Sequence, residues 1–541
     1  MRLGLAQINP RVGDIDSNLK TVLARIEEAR AMGCDLVVFP ELSLSGYPPL
    51  DLLWRRGFVG RIEEALAAIE RASRGVAVIL GAVTSRPPRA PANLTDPSSR
   101  SDGADLELLN SAVLFVGGTR LGEEGKLALP AFDVYDDRRY FVPGDGAQVF
   151  DVRDTSLGMN VCEDLWVEEG PTDVQASLGA SWVVNVSASP FFAGKPAIRR
   201  RLAARRARDN GVHLVYVNRV GGQDELVYDG GSFITGPDGN LLYQAPWFAE
   251  GLFVVDTEAL SPVNVPVEDQ TASIRRAIVL GIHDYLEKNG FSQVLVGLSG
   301  GIDSALVTAL AVEALGPEQV TAVLLPSAIT SRQSGTDARD LASSLGITAL
   351  ELPIGNIVET CHAAFAQAPT GLPAENLQAR VRGMLLMTLA NQRNALVLAT
   401  GNKSEIAVGY NTLYGDTVGA LAPIGDLYKT TVYRLAESLD HPILMRIAAK
   451  PPTAELRPGQ RDEDDLPPYT VLDPLLQALL EEGAGREDLL AAGHPAPLVE
   501  EILVRVRAAE YKRRQLPLVV KLSPKAFGSG RRIPVTHGYP D

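Results

Sequence analysis

The first half of the chain alternates short β-rich runs with stretches of helical spacing. Leu3 to Ile8 reads as a strand, Asn18 to Ala31 as a helix and Leu36 to Phe39 as a second strand. Further apolar runs follow at Val76–Val83, Ser111–Val116, Leu157–Val161, Trp182–Val186 and Leu214–Val217. Short β-branched runs between helical patterns predict an α/β unit with much sheet. Arg86 to Asp105, rich in Pro, Ser and Asp, breaks the pattern and reads as a mobile insertion, with an incidental Asn-Leu-Thr sequon at Asn93.

Around Ser261 to Pro266 the alternation stops, and a helix of mixed polarity begins near Thr271. The boundary is placed there, giving one domain over residues 1–262 and another over 263–541. From Val294 onward, strands at 294–298, 320–325 and 395–399 alternate with helical patterns. That order predicts a doubly wound parallel sheet with its ligand at the strand carboxyl ends. Helical patterns then dominate to about Arg514, interrupted by an acidic, proline-punctuated loop from Arg457 to Pro468.

Composition narrows the function. At 541 residues the chain exceeds the size at which one core stops growing, so at least two domains are expected. A net charge of −15 argues against nucleic acid or an anionic membrane surface as a partner. The basic cluster Arg199-Arg200-Arg201 with Arg205-Arg206 reads as one face of a surface helix. Three scattered cysteines, Cys34, Cys162 and Cys361, form neither a disulfide framework nor a zinc motif. Met1 to Ala6 is too short for a secretion signal, and no apolar run of about eighteen residues could span a bilayer. A reducing, cytoplasmic location is expected.

The chemistry is concentrated in two places. Ser299-Gly300-Gly301-Ile302-Asp303-Ser304 directly follows the apolar run Val294 to Leu298 and opens the apolar stretch Ala305 to Ala314. A glycine turn between a strand and a helix start aims backbone N–H groups at one point, next to the positive end of the helix, and so favours phosphate oxygens. It is a phosphate grip without a lysine, since Ala305 and Leu306 stand where a Walker A loop would continue. Asp303 supplies an anion where Mg²⁺ could bridge to phosphate. An isolated Ser-Gly-Gly is equally a structural turn. The full string resembles the pyrophosphate-gripping loop of the ATP pyrophosphatases, which activate a substrate as its AMP ester.

In the first half, Glu41 lies just past a strand, Lys126 sits in the apolar loop Gly125 to Pro130, and Cys162 ends the run Leu157 to Val161. Each alone is unremarkable; a lone cysteine is usually a small buried hydrophobe. Together they resemble the Glu-Lys-Cys triad of the nitrilase-like carbon–nitrogen hydrolases, over residues 1 to 260. That resemblance implies an α-β-β-α sandwich. It also implies that Glu41 takes the thiol proton, Cys162 attacks an amide carbon and Lys126 steadies the oxyanion.

After the phosphate loop, Glu375 to Arg380 and Thr400 to Glu405 resemble NAD synthetase. A hydrolase module followed by this synthetase resembles the bacterial glutamine-dependent NAD⁺ synthetases, over nearly the whole chain. The resemblance implies that glutamine is hydrolysed to ammonia and that ATP adenylates deamido-NAD⁺, which ammonia then converts to NAD⁺ with release of AMP and pyrophosphate. ATP and Mg²⁺ are the implied co-substrate and metal. It implies that residues 299–304, Thr400, Lys429 and Thr453 meet ATP. Asp303 and Glu405 would approach Mg²⁺, and Asn376, Arg380, Glu405 and Lys512 would hold deamido-NAD⁺. Phe132, Ser189 and Lys195 would embrace glutamine, with Phe132 standing where the family often has tyrosine. A homo-oligomer associating through the synthetase domain is also implied. Two alternatives stay open: another ATP-pyrophosphatase amidotransferase, or an amide hydrolase carrying a nucleotide-binding regulatory domain.

Overall fold

The computed structural model describes residues 1–88, 106–266 and 269–539. The sequon at Asn93 and most of the expected insertion lie outside the described residues. Two compact units divide the chain, one formed by residues 1–223 and 227–268, the other by 224–226 and 269–541.

The first unit is built on two six-stranded sheets. In one, the parallel strands Arg2–Gln7, Leu36–Val38 and Ala77–Arg86 form the centre, and antiparallel strands Gly251–Asp256, Glu107–Val116 and Thr119–Gly125 complete it. The other repeats the scheme: Thr155–Val161, Trp182–Ser187 and His213–Asn218 run parallel, with antiparallel strands at both edges. Side chains alternate faces along a strand, so one set from each sheet meets in the middle. Leu3, Leu5, Leu36, Val38 and Ile79 pack there against Met159, Val161, Val184, Val186, Val215 and Val217.

Helices cover both outer faces. Ile15–Ala31, capped by Asp14, buries Val22, Ile26 and Ala29. Lys195–Asn210 packs Ala203 and Ala207 on Leu214, Tyr216 and Phe233. The result is the expected α-β-β-α sandwich. One expectation needs correction: the arginines of Lys195–Asn210 are not all on a solvated face. Arg201 and Arg205 are exposed, but Arg199 and Arg206 are buried. Arg199 forms a two-pronged pair with Asp229 at 2.6 and 2.8 Å, and Arg206 donates to the Leu165 carbonyl at 3.2 Å. Arg86, expected to open the insertion, instead ends a strand and pairs with Glu107 at 2.8 Å.

The second unit has one sheet, parallel throughout, ordered 348–351, 320–324, 294–297, 396–398, 421–422, 518–519. Counted along the chain this is 3-2-1-4-5-6, the doubly wound order, whose topological switch falls between Val294–Gly297 and Leu396–Leu398. Helix Leu372–Arg393 packs Val381, Leu386 and Ala390 against Leu295, Val323 and Val397. A second core follows in the helical region, where Leu472, Leu475 and Leu476 meet Val499, Ile502 and Val506. The strands at 348–351, 421–422 and 518–519 were not expected from the sequence.

Candidate active sites

The residues of the first site leave the carboxyl ends of the central parallel strands in both sheets. Glu41 follows Leu36–Val38, Cys162 follows Thr155–Val161 and Ser189 follows Trp182–Ser187, while Lys126 follows the edge strand Thr119–Gly125. Lys126 Nζ donates to Glu41 Oε1 at 2.9 Å and to Asp137 Oδ2 at 2.6 Å, with all three side chains buried. Asn110 also donates to Glu41 Oε1, at 2.6 Å, and the Ala188 N–H meets Glu41 Oε2 at 2.8 Å. A carboxylate has about four lone-pair sites, so Glu41 retains capacity to take a proton.

Burial pulls the Lys126 ammonium down, but Asp137 and Glu41 outweigh it and hold it well above the ordinary lysine range. Burial, then the charge of Glu41, push the Cys162 thiol well above its ordinary value, with Lys126 opposing. The thiol is therefore protonated at neutral pH and needs a base.

Cys162 has φ +47, a left-handed backbone that costs a non-glycine residue about 1–3 kcal/mol. The surroundings enforce it. Asn185 Nδ2 donates to the Cys162 carbonyl at 3.3 Å and to Asn160 Oδ1 at 2.7 Å. Asp164 accepts from Val161 N at 3.1 Å and, through its other oxygen, from Leu127 N and Ala128 N at 3.0 and 2.8 Å. One carboxylate thus ties the cysteine turn to the lysine loop. Burial raises that carboxyl to about 6, against the three N–H groups that favour its charge.

Of the three residues expected around glutamine, Ser189 is buried, its hydroxyl 3.2 Å from Arg199 Nε and its carbonyl 2.8 Å from the same guanidinium. Lys195 begins helix Lys195–Asn210, its ammonium 4.5 Å from the Trp166 ring centre. Phe132 is 56% exposed and meets Tyr135 edge-on at 5.6 Å. The buried Tyr135 phenol is pushed well up by burial and by Cys162, Glu163, Tyr228 and Glu41, which puts it among the site's charged groups. Asp137, Asn110, Asp164 and Tyr135 had been given no role from the sequence.

The second site is a cavity of about 1010 Å³ at the carboxyl ends of the parallel sheet. All of Ser299 to Ser304 line it, with Thr400, Glu405, Lys429, Thr453, Asn376 and Lys512. Gly300 has φ +82, and a side chain there would run into the Ser334 carbonyl. Ser299 and Ser304 brace the turn through hydroxyls 3.0 Å apart, and Gly301 N donates to Ser299 Oγ at 3.2 Å. Helix Ile302–Leu315 starts at this turn.

Lys429 joins the acidic residues. Its ammonium pairs with Asp303 and, at 3.0 Å, with Glu405 Oε1. Asn402 adds a hydrogen bond to Asp303 Oδ1 at 3.1 Å, and Tyr469 donates to Asp462 Oδ2 at 3.0 Å. Burial raises the Glu405 carboxyl; Lys429 opposes this while Asp303 and Asp462 add to it. Burial lowers Lys429, but Asp303 and Glu405 prevail and hold it far above its usual range.

Lys512 donates to the Gly409 and Asn411 carbonyls, each at 2.7 Å, and Asn376 Oδ1 accepts from Thr412 at 2.6 Å. Thr453 Oγ1 accepts from Glu455 N at 3.1 Å. Arg380 does not line the cavity: it is exposed and donates to the Leu413 carbonyl at 3.2 Å.

Comparison with known proteins follows the same division. A carbon–nitrogen hydrolase family matches residues 2–260, and the NAD synthase family matches residues 274–516. The two in this order define a synthetase that carries its own carbon–nitrogen hydrolase. The glutamine-dependent NAD⁺ synthetase of Synechocystis sp. is 41% identical and that of Thermotoga maritima 38%, each over at least 99% of both chains. A solved glutamine-dependent NAD⁺ synthetase from Acinetobacter baumannii, in complex with ADP, superposes with a TM-score of 0.77 at 36% identity, covering 99% of this chain and 98% of that one. The chain belongs to the glutamine-dependent NAD⁺ synthetase family. The full-length likeness sets aside the two alternatives that the sequence had left open.

Proposed function

We propose that the two sites divide the work of glutamine-dependent NAD⁺ synthesis, the first releasing ammonia from glutamine and the second using it. The enzyme is an ATP-dependent carbon–nitrogen ligase with glutamine as amide donor. The observation that carries the assignment of sites is that one chain, alike to these synthetases along its length, keeps both a buried Glu41–Lys126 pair beside Cys162 and a phosphate loop opening on a cavity.

In the first site Glu41 takes the thiol proton as Cys162 Sγ attacks the glutamine amide carbon. The Lys126 ammonium, fixed by Asp137, steadies the oxyanion, an effect worth about 3 kcal/mol. Glu41 hands that proton to the departing nitrogen, which leaves as ammonia, and the carboxylate so restored then activates the water that opens the thioester. Ser189 and Lys195 hold the amino-acid end of glutamine, with Phe132 at the rim.

In the second site Ser299 to Ser304, Thr400, Lys429 and Thr453 hold ATP, while Asn376, Glu405 and Lys512 face deamido-NAD⁺ and Arg380 approaches it from outside the cavity. The nicotinate carboxylate attacks the α-phosphorus, pyrophosphate leaves, and ammonia displaces AMP from the adenylate. Asp303 and Glu405 suit Mg²⁺: they already share one buried cation, and Glu405 is crowded by Asp303 and Asp462. Mg²⁺ held there would offset charge on the departing pyrophosphate. No helix among the described residues is long and apolar enough to cross a membrane, and the three cysteines are unpaired, in keeping with a reducing cytoplasm. A homo-oligomer is expected from the family.

The test is a product assay on the wild-type enzyme with glutamine, deamido-NAD⁺, ATP and Mg²⁺. Equal amounts of NAD⁺, AMP and pyrophosphate are expected. Formation of ADP and phosphate instead would overturn the adenylation scheme.

A further inference from the structure

The phosphate loop contains no lysine, yet a lysine ammonium is bound to it. Lys450 Nζ donates to the Gly300 carbonyl at 2.9 Å and to Asp337 Oδ2 at 2.6 Å. Its side chain is 27% exposed, and it lines the same cavity as the loop. Asp337 is fully buried, and it also accepts from Gln333 at 2.8 Å and from Arg446 at 2.9 Å. Its carboxyl is held below the ordinary range: burial opposes this, but the Lys450 and Gln333 hydrogen bonds and the nearby cations outweigh it. Asp337 is therefore a fixed anion that sets the position of Lys450.

The arrangement is more than a brace. An ammonium has three N–H donors, and two are committed to Asp337 and Gly300. Among the described residues the third has no protein partner. The loop is pinned from both sides, by Lys450 at the Gly300 carbonyl and by the Ser334 backbone, which leaves no room for a side chain at Gly300. The Lys450 bond fixes the Gly300–Gly301 peptide in the lining of the cavity, where a polyphosphate's oxygens would gather.

We propose that Lys450 is a second cation of this phosphate grip, beside Lys429, its third N–H bonding an oxygen of the pyrophosphate half of ATP. The inference rests on the adenylation reading above. In that step a nicotinate oxygen bonds to the α-phosphorus, the bond from that phosphorus to the bridging oxygen of the β-phosphate breaks, and the electron pair leaves on pyrophosphate. The Lys450 ammonium offsets the charge that accumulates on the leaving group. The lysine of a Walker A loop lies within the loop; here it is supplied from about 150 residues away, at Lys450-Pro451-Pro452-Thr453.

The test compares binding of magnesium pyrophosphate and of AMP to the full-length wild type, Lys450→Met and Lys450→Arg by calorimetry. In Lys450→Met, pyrophosphate is expected to weaken by about tenfold or more with AMP unchanged, and Lys450→Arg should recover part of the loss. On the wild type, pyrophosphate should protect Lys450 from acylation by a small anhydride, and AMP should not. That second measurement stands even if Lys450→Met fails to fold. Unchanged pyrophosphate affinity in Lys450→Met, equal weakening of both ligands, or equal acylation with and without pyrophosphate would overturn the proposal. If pyrophosphate fails to bind the wild type at all, the adenylation reading itself falls, and this inference with it.

Discussion

Asp137 Oδ2 stands 2.6 Å from Lys126 Nζ, and the two side chains are 4% and 0% exposed. The ammonium is thus shared between Asp137 and Glu41, so that Glu41 alone does not fix it. Replacing Asp137 by alanine leaves a buried lysine with one partner and strips Tyr47 of the acceptor it holds at 2.8 Å. Removing one member of a buried pair costs about 3–5 kcal/mol, and a misplaced oxyanion donor costs on the order of 10²-fold in rate. Asp137→Ala is expected to lower both the melting temperature and glutamine-driven NAD⁺ formation. Asp137→Asn should keep the Tyr47 bond and melt higher than Asp137→Ala. Unimpaired glutamine-driven turnover in both would remove Asp137 from the account.

Gly81 lies on strand Ala77–Arg86, directly beneath the turn that presents Glu41. A side chain there would come within 2.5 Å of the Pro40 carbonyl oxygen and 2.8 Å of Leu42 N, both backbone atoms that cannot swing away. Gly81→Ala must therefore shift Glu41. Glutamine hydrolysis is expected to drop on the order of 10²-fold while ammonium-driven NAD⁺ formation is retained. A crystal structure of the variant with Glu41 unmoved would refute the steric argument.

The raised Cys162 thiol has a readable pH signature. A higher thiol pKa means less thiolate at any given pH, so inactivation by iodoacetamide should keep rising beyond pH about 9 rather than level off near the usual 8.5. The folded enzyme also holds that proton to higher pH than the unfolded chain does. Its stabilising contribution is therefore complete below the unfolded pKa and lost as pH rises. A plateau in alkylation rate below pH about 8 would contradict the burial and the Glu41 charge as causes.

Lys429 is the cation that lets Asp303 and Glu405 stand together. In Lys429→Met the two carboxylates face one another uncompensated, and Glu405, already raised by burial, is pushed further above its unfolded value. The native state then binds more protons than the unfolded state, so stability should grow as pH falls. Thermal melts of Lys429→Met against wild type from pH 8 down to pH 5 should show a gap that narrows. A gap of constant size would mean that Lys429 is only packing.

The architecture was legible where periodicity is strong. Leu3 to Ile8, Trp182 to Val186 and Val294 to Leu298 are apolar because both faces are covered, and each proved to be a strand. Thr348–Glu351 was missed because it is an edge strand with mostly exposed side chains, and Leu421–Ala422 and Leu518–Val519 because two residues carry no period. Arg199 and Arg206 look solvated in a basic string. They are buried because Asp229 and two carbonyls come to them from distant segments.

The sites show the same limit. Glu41 and Cys162 follow apolar runs and Lys126 opens an apolar loop, and it was the three together, each unremarkable alone, that carried the resemblance. Asp137 lies in a stretch with Asp133 and Asp136, and only the fold selects the one that meets Lys126. Lys450 lies three residues before Thr453, but its bond to Gly300 spans 150 positions and leaves no local trace.

The central claim, that Cys162 serves only the glutamine half of the reaction, is tested by supplying the wild type and Cys162→Ala with deamido-NAD⁺, Mg-ATP and either glutamine or ammonium chloride. Cys162→Ala is expected to lose NAD⁺ formation from glutamine and to keep it from ammonium at the wild-type rate. Retained glutamine-driven synthesis, or loss with both nitrogen sources in a folded variant, would contradict the account.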